Sequence, residues 1–246
     1  MKYDAKKIKK MEEAAEIHHR IFREITSMAK AGVSLLEIDN EAEKLCRQNS
    51  VIPAFKNYEG FPSSVCVGVN DIVVHGIPDE YVLEDGDIVS LDFGIKYQDV
   101  FSDCAVTVAV GDVSPAVKEF LETTKRAVLN AVKVAIPGNH VGDIGSAIQE
   151  TAEKAGYSVV REMVGHGVGY NLHEDPYIPG YGEKGRGSEL YRGQTLAIEA
   201  IINMGARDIV ISADDGWTTW TKDGMLSALF EHTVVVDRTP RILTKW

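Results

Sequence analysis

The chain has 246 residues, of which 44% are hydrophobic, and its formal net charge is −11. This apolar content can fill a sizeable core, which excludes a disordered chain, and the acidic balance disfavours nonspecific nucleic-acid binding. No apolar run approaches the length of a membrane span, and the three cysteines form no CxxC pair, which argues against a disulfide framework or a structural zinc site. We therefore expect a soluble cytoplasmic protein.

The first half of the chain is predicted to form two helices and then strands. Apolar residues recur at helical spacing over residues 6–29. Ser34 and Glu37 form a capping-box pattern, which opens a second helix that ends near Arg47. Strand-like segments follow near residues 64–69, 88–95 and 103–110.

The second half repeats this order of elements. Ser114 and Pro115 are typical of an N-cap and a first helical position, and that helix is predicted to stop at Pro137 and Gly138. Another helix is predicted from about residue 143 to residue 155. Strand-like segments follow near residues 158–164, 194–203, 208–213 and 230–237.

A motif shared by the two halves indicates an internal repeat. Gly86-x-x-Val-x-Leu-Asp92 matches Gly193-x-x-Leu-x-Ile-Glu199, with the acid in the same place. No linker rich in proline or serine divides the halves. We expect residues 1–246 to form a single catalytic domain of two related halves, roughly 1–110 and 111–246, around one sheet.

Two aspartates interrupt the segment SLDFGIKYQDVFSDCAVTV, which otherwise reads as a buried hairpin. A two-residue turn at Tyr97-Gln98 would place Asp92 directly opposite Asp103, where the Cβ atoms of cross-strand neighbours lie about 4.5–5.5 Å apart. Two adjacent buried carboxylates must share a proton, pair with a base or bind a cation.

Two glutamates and three histidines extend this pattern. Glu199 and Glu231 also lie in apolar strands, so that solvent-exposed strand edges cannot explain all four acids. His75 and His166 are each followed by glycine, which lets backbone or ligand approach closely, and His173 comes seven residues after His166. Oxygen-rich ligation with a single imidazole suits paired Mn, Fe, Co or Zn ions, which can activate a hydroxide for hydrolysis. We expect a dimetal site.

These motifs resemble those of the type I methionine aminopeptidases, which have the pita-bread fold. The resemblance covers nearly the whole chain, and its most specific parts are, in order, NDIVVHGIP, LDFG, SDCA, GHGVG, HE, AIEA and FEHT. It implies an α+β fold, in which a pseudo-twofold repeat of helices packs on a curved, mostly antiparallel β-sheet. The implied activity is dimetal hydrolysis that removes the initiator methionine from new polypeptides when the second residue is small.

The resemblance also implies the metal ligands. Asp92 would chelate one metal, and Asp103 and Glu231 would bridge both. His166 and Glu199 would complete the shell of the other ion. Two divalent ions are therefore expected, with Co, Mn, Fe and Zn all compatible. A monovalent cation would bind loop oxygens at three matching positions, which are Asn70, Ile72 and Ser227.

His75 and His173 match family histidines that contact the scissile peptide without binding metal. Glu199 would also shuttle a proton to the leaving amine. An apolar pocket would hold the methionine side chain, and its matching positions are Tyr58, Phe61, Cys66, Leu172 and Trp217.

Four residues depart from the family pattern. Leu172 replaces an aromatic residue and Phe61 replaces a tyrosine, and both changes would alter the shape and selectivity of the pocket. Ala200 stands where proline is usual, and Leu229 where a polar residue is common. These two changes bear on loop geometry and rate more than on the chemistry.

The expected partners are peptides with N-terminal methionine and nascent chains, with a ribosome contact left open. The charged surface and the resemblance predict a monomer, without membrane or specific nucleic-acid binding. One alternative is an aminopeptidase P or prolidase, which shares the fold and ligands but usually carries a further N-terminal domain. The other is a metal-free module that binds peptide or RNA on the same fold, although such proteins lose ligand residues that this chain keeps.

Overall fold

The computed structural model describes residues 4–246; residues 1–3, where the predicted domain and its first half begin, lie outside the described residues. Within the described part the helices are α1 (Ala5–Ser27), α2 (Leu35–Gln48), α3 (Pro115–Lys133) and α4 (Val141–Lys154). The capping box is confirmed, because Ser34 and Glu37 each accept from the other's backbone N–H. The Ser114 side chain likewise accepts from the backbone of Val117. No helix over residues 4–246 is both long and apolar enough to span a bilayer.

The strands of the described residues form three antiparallel sheets instead of the one sheet that the sequence predicted. The first contains β1 (Ile52–Pro53), β2 (Val65–Val69), β4 (Ile88–Tyr97) and β5 (Val100–Ala109). The second contains β6 (Ser158–Val159), β7 (Val164–Gly167), β8 (Glu174–Pro179), β9 (Thr195–Asn203), β12 (Ser227–Val235) and β13 (Arg241–Ile242). The third contains β3 (Ile72–Val74), β10 (Ile209–Ile211) and β11 (Thr219–Thr221).

The β4–β5 hairpin has a different register from the predicted one. Tyr97 pairs with Val100, so that the turn lies at residues 98–99, and Asp103 faces Gly94 instead of Asp92. The predicted turn at Tyr97-Gln98 was wrong because the first residue of a tight hairpin turn takes a left-handed conformation. Gln98 has this conformation, with φ 54°, whereas Tyr97 stays in the strand. Asp92 and Asp103 still share one face of the hairpin, as diagonal neighbours.

In the second sheet, β9 and β12 pair so that Glu199 lies directly opposite Glu231. Two threonines join this pair to the first sheet. The Thr107 hydroxyl donates to the carbonyl of Leu229 (2.9 Å) and accepts from its N–H (2.8 Å). The Thr233 hydroxyl makes the same two bonds to Asp103, at 2.8 and 3.1 Å. This reciprocal arrangement brings β5 against β12, and therefore brings the acids of both sheets together.

The main hydrophobic core includes residues of α1–α4 and of the two larger sheets. Its largest fully buried side chains are Phe22, Phe93 and Phe120. Burial of this kind stabilises a fold by about 25 cal/mol per Å² of apolar surface. The predicted single strand over residues 158–164 was wrong, because the chain bends at residues 161–163 and forms β6 and β7 separately.

Candidate metal centre and active site

Five strands bring the predicted ligands into one cavity of about 280 Å³. The cavity is lined by Asp92 of β4, Asp103 of β5, His166 of β7, Glu199 of β9 and Glu231 of β12. Asp103, Glu231 and His166 are buried, and Asp92 and Glu199 are half-buried. Ionised groups are rarely buried together without a counter-charge, so this concentration of acids needs a physical explanation.

Three of the four acids each have one buried oxygen without a hydrogen-bond partner among the described residues, and these acids are Asp92, Asp103 and Glu231. Burial raises the pKa of Asp103 to about 7 and, together with the Asp103 charge, the pKa of Glu199 to about 8. Burial and the neighbouring carboxylates raise the pKa of Asp92 and Glu231 well above the usual range. A bound cation would remove this repulsion and satisfy the free oxygens.

His166 presents a free nitrogen to these acids. Its Nδ1 lies 2.9 Å from the Gly167 carbonyl, which can only accept, so the imidazole hydrogen is on Nδ1. Its Nε2 lies 3.9 Å from Asp103 Oδ2. One ligand atom each of Asp103, His166 and Glu231 all lie within 4.8 Å of one another. Burial lowers the pKa of His166 to about 4, which keeps the ring neutral for ligation.

Neighbouring groups that the sequence analysis missed hold these ligands in place. Thr233 ties the backbone of Asp103, and Trp246 Nε1 donates to the Glu231 carbonyl over 3.1 Å. Gly94 leaves room for Asp103, since a Cβ at this position would lie 3.1 Å from Asp103 Oδ1. The glycine in the motif LDFG was the one available signal, whereas a threonine on a strand does not reveal which sheet it contacts.

His75 and His173 line the same cavity. His75 has the left-handed φ of 58°, and its ring centroid lies 6.2 Å from that of Trp217. The ring of His173 lies 4.3 Å from that of His166 at 88°. Partial desolvation in the cavity, more than any neighbouring charge, lowers the pKa of both His75 and His173, which favours their neutral forms.

The five positions predicted for a side-chain pocket meet at one side of the cavity. Phe61, Cys66 and Leu172 are buried and pack in one apolar cluster with Ala54 and Phe55; Tyr58 and Trp217 are half-buried and pack against it. Several residues without a predicted role also line the cavity, and these are Phe55, Glu59, Val74, Glu162, Met163, Val164, Tyr177 and Ile201. The cavity therefore joins a carboxylate-rich end to an apolar end.

The remaining predicted positions lie outside the cavity lining. Ala200 is buried opposite Phe230, and Leu229 is buried in an apolar cluster. Asn70 and Ser227 are in contact, because the Ser227 N–H donates to the Asn70 carbonyl over 2.8 Å. Ile72 begins β3, two residues after Asn70.

Comparison with known proteins places this geometry in context. Residues 9–238 match metallopeptidase family M24. Methionine aminopeptidase 1 of Bacillus subtilis (strain 168) is 44% identical over 229 residues, which cover 93% of this chain and 92% of that protein.

Solved structures show the same architecture. The methionine aminopeptidase of Thermotoga maritima superposes with a TM-score of 0.95 and 40% identity, covering 99% of this chain and 98% of that one. The Xaa-Pro dipeptidase of Bacillus anthracis superposes with a TM-score of 0.78 and 25% identity, but the match covers only 62% of its chain. The predicted pita-bread fold, with helices on antiparallel sheets, is confirmed.

Proposed function

The chain belongs to metallopeptidase family M24 and to its methionine aminopeptidases, and we propose that its cavity removes the initiator methionine from new polypeptides whose second residue is small. One observation carries the proposal. Four carboxylates and a neutral histidine converge beside an apolar pocket, in a chain 44% identical to a methionine aminopeptidase. The enzyme is a metal-dependent hydrolase.

The residues that would hold two divalent ions are Asp92, Asp103, His166, Glu199 and Glu231. They fit such ions because three buried carboxylate oxygens lack partners and His166 Nε2 is free to ligate. When bound, divalent ions polarise a carbonyl oxygen and lower the pKa of water. Cobalt, manganese, iron and zinc all accept this set of oxygen ligands with one imidazole.

The other polar residues would orient the peptide and move protons. His173 would donate a hydrogen bond to the carbonyl oxygen of the scissile bond, and this bond would strengthen as negative charge develops there. Glu199, which pairs with Glu231 on the neighbouring strand, would carry a proton to the leaving amine. His75, whose ring lies beside that of Trp217, would contact the scissile peptide bond.

The apolar end of the cavity would bind the methionine side chain. Its lining is Tyr58, Phe61, Cys66, Leu172 and Trp217, which offers soft and aromatic contacts to a thioether. Leu172 and Phe61 would give this pocket a selectivity different from that of relatives with an aromatic residue and a tyrosine there.

Several further properties belong to the same proposal. A monovalent cation would bind loop oxygens at Asn70, Ile72 and Ser227, which the contact between Asn70 and Ser227 supports. Residues 1–246 would act as a single catalytic domain. The enzyme would work as a cytoplasmic monomer on nascent chains, with a ribosome contact left open and without specific nucleic-acid or membrane binding, as the net charge of −11 favours.

The test is metal-dependent release of methionine. The protein is stripped with a chelator, reloaded with Mn, Fe, Co or Zn, and incubated with a Met-Ala-Ser peptide. We expect free methionine from the wild type and none above background from Asp103→Ala, with Met-Pro and Gly-Pro peptides for comparison. Cleavage only before proline would favour a prolidase. No cleavage by the folded protein with any metal would favour a metal-free binding module.

A further inference from the structure

Two neighbouring histidines in the cavity have different partners for the same ring nitrogen. Nδ1 of His166 faces the Gly167 carbonyl at 2.9 Å, which forces that nitrogen to donate. Nδ1 of His173 faces the Tyr58 hydroxyl at 3.0 Å, which can donate or accept. The two rings lie 4.3 Å apart and perpendicular to each other.

The ring hydrogen of neutral His173 can lie on Nδ1 or on Nε2, and only one position allows the ring to bind a peptide carbonyl oxygen. A neutral imidazole has one hydrogen, so Nδ1 and Nε2 cannot both donate. If Nδ1 donated to Tyr58, then Nε2 would be an acceptor and would repel a peptide carbonyl oxygen. If the Tyr58 hydroxyl donates to Nδ1, then Nε2 keeps the hydrogen and can bond that oxygen.

We propose that Tyr58 is a positioning residue, whose hydroxyl donates to Nδ1 of His173 and keeps the imidazole hydrogen on Nε2. The inference rests on the proposed function, because the carbonyl-binding task of His173 is part of it. His166 would then offer an Nε2 lone pair to a metal, while His173 offers an Nε2 hydrogen to the substrate. The two histidines would hold opposite tautomers, set by their Nδ1 partners.

The backbone around Tyr58 supports this role. Asn57 and Glu59, on either side, have the left-handed φ values of 66° and 49°, which are uncommon for residues with side chains and concentrate at functional sites. The Asn57 N–H donates to the Phe61 carbonyl over 2.7 Å and closes this segment into a tight loop. The Tyr58 ring also packs edge-on against His173, with centroids 5.1 Å apart.

Tyr58 thereby connects two loops that both line the cavity. One loop carries Tyr58 and Phe61, which contact the substrate side chain in the proposed function, and the other carries Leu172 and His173. Because Tyr58 would both line the methionine pocket and orient His173, it would couple binding of the methionine side chain to catalysis. Removal of the hydroxyl alone should separate these two contributions.

The experiment compares wild type with Tyr58→Phe, which keeps the ring and removes the hydroxyl. We expect kcat for Met-Ala-Ser to fall about 10-fold, as one hydrogen bond commonly contributes, while KM changes less than about twofold. In a His173→Ala background the same substitution should change kcat less than about twofold, because the partner is absent. An equal loss in both backgrounds would overturn the proposal.

Tyr170→Phe is the matched control. Tyr170 lies on the His173 loop, and its hydroxyl donates to Asp4 over 2.9 Å, away from His173. Its loss should leave kcat within about twofold of wild type. If Tyr170→Phe lowered kcat as much as Tyr58→Phe, then general loosening of the loop would explain both results, and the proposal would be wrong.

A second readout needs no activity. In ¹⁵N-labelled, metal-free protein, the His173 ring signals are identified by their absence in His173→Gln. We expect wild type to carry hydrogen on Nε2 and Tyr58→Phe to show a mixture of tautomers. Hydrogen on Nδ1 in wild type, or identical spectra for both proteins, would overturn the proposal. Failure of wild type to release methionine with any metal would instead overturn the proposed function, and the spectra would still decide the tautomer.

Discussion

At the scale of single residues, the metal-free protein concentrates unfavourable charge at one place. Burial raises the pKa of Asp103 to about 7 and of Glu199 to about 8, whereas unfolded carboxyl groups titrate near 4. The folded state therefore binds more protons than the unfolded state over the intervening range. These two carboxyls therefore leave stability unaffected below about pH 4 and destabilise the folded state progressively as the pH rises toward 8. The buried His18, His166 and His232, whose pKa burial lowers, act in the opposite direction below about pH 6.5.

The first prediction follows for protein stripped of metal. Its urea midpoint should fall between pH 7 and pH 8, above the range in which the buried histidines affect stability, and Asp103→Asn, which cannot ionise, should show a smaller fall. Urea denaturation followed by circular dichroism at several pH values measures both slopes. A midpoint that rises over this range, or equal slopes for the two proteins, would contradict the assigned direction.

The second prediction concerns the space opposite Asp103. In Gly94→Ala the new Cβ would lie 3.1 Å from Asp103 Oδ1 and 3.0 Å from both Ala54 and Phe55, so that neighbours on every side must shift. We expect metal affinity to fall about 10- to 100-fold, as when a group that orients a ligand is changed. Titration calorimetry with Mn measures the affinity.

Ile95→Val is the control for Gly94→Ala, because it changes a buried residue of the same strand that belongs to the main core. It should lower stability by about 0.5–1.5 kcal/mol and leave metal affinity within about twofold. Similar affinities for both variants and wild type would show that Gly94 does not determine the position of Asp103.

At the scale of elements, two reciprocal threonine bonds hold the sheets together. The Thr107 hydroxyl bonds both the N–H and the carbonyl of Leu229, and the Thr233 hydroxyl bonds both the N–H and the carbonyl of Asp103. These hydroxyls join strands that do not pair as a ladder. They make the position of Asp103 depend on a strand of the other sheet.

The third prediction tests this connection with Thr107→Val. The variant leaves the buried N–H and carbonyl of Leu229 without this partner, so the free energy of unfolding should fall by about 2–4 kcal/mol. Thr124→Val is the control, since Thr124 is equally buried but bonds a carbonyl within its own helix. Thermal unfolding measures both, and equal losses would contradict the cross-sheet role.

The sequence predicted the elements whose signals are local. The capping box of α2 and the N-cap Ser114 lie within one helical turn, and acids in apolar strands are visible residue by residue. Register and cross-sheet contacts were not predictable in the same way. Gln98 adopts a left-handed turn conformation that asparagine or glycine usually signals, and the bend at residues 161–163 contains no glycine, proline or asparagine.

At the scale of the whole molecule, the two predicted halves arrange the proposed metal ligands differently. The first half supplies Asp92 and Asp103 as diagonal neighbours, and the second supplies Glu199 and Glu231 directly opposite each other. The motif shared around Asp92 and Glu199 predicted a repeat. The position of the second acid on the neighbouring strand nevertheless differs between the two halves. The sequence therefore predicted which residues meet, and not how they pair.

The fourth prediction follows from this shared centre. A metal that binds only the folded chain stabilises it by mass action, by about 2.7 kcal/mol at a concentration 100 times Kd. For a chain of this size we expect the thermal midpoint to rise by roughly 5–10 °C with Mn and to return with chelator. Asp103→Asn should show a much smaller rise. An equal rise in both would indicate binding elsewhere.

The most direct measurement of the central claim is anomalous diffraction from crystals loaded with manganese. We expect two peaks in the cavity, each within ligand distance of carboxylates from both halves, with His166 beside one of them. Weaker or absent peaks in Asp103→Asn crystals would show that both ions depend on Asp103. A single peak, or peaks outside the set Asp92, Asp103, His166, Glu199 and Glu231, would contradict a dinuclear centre at this site.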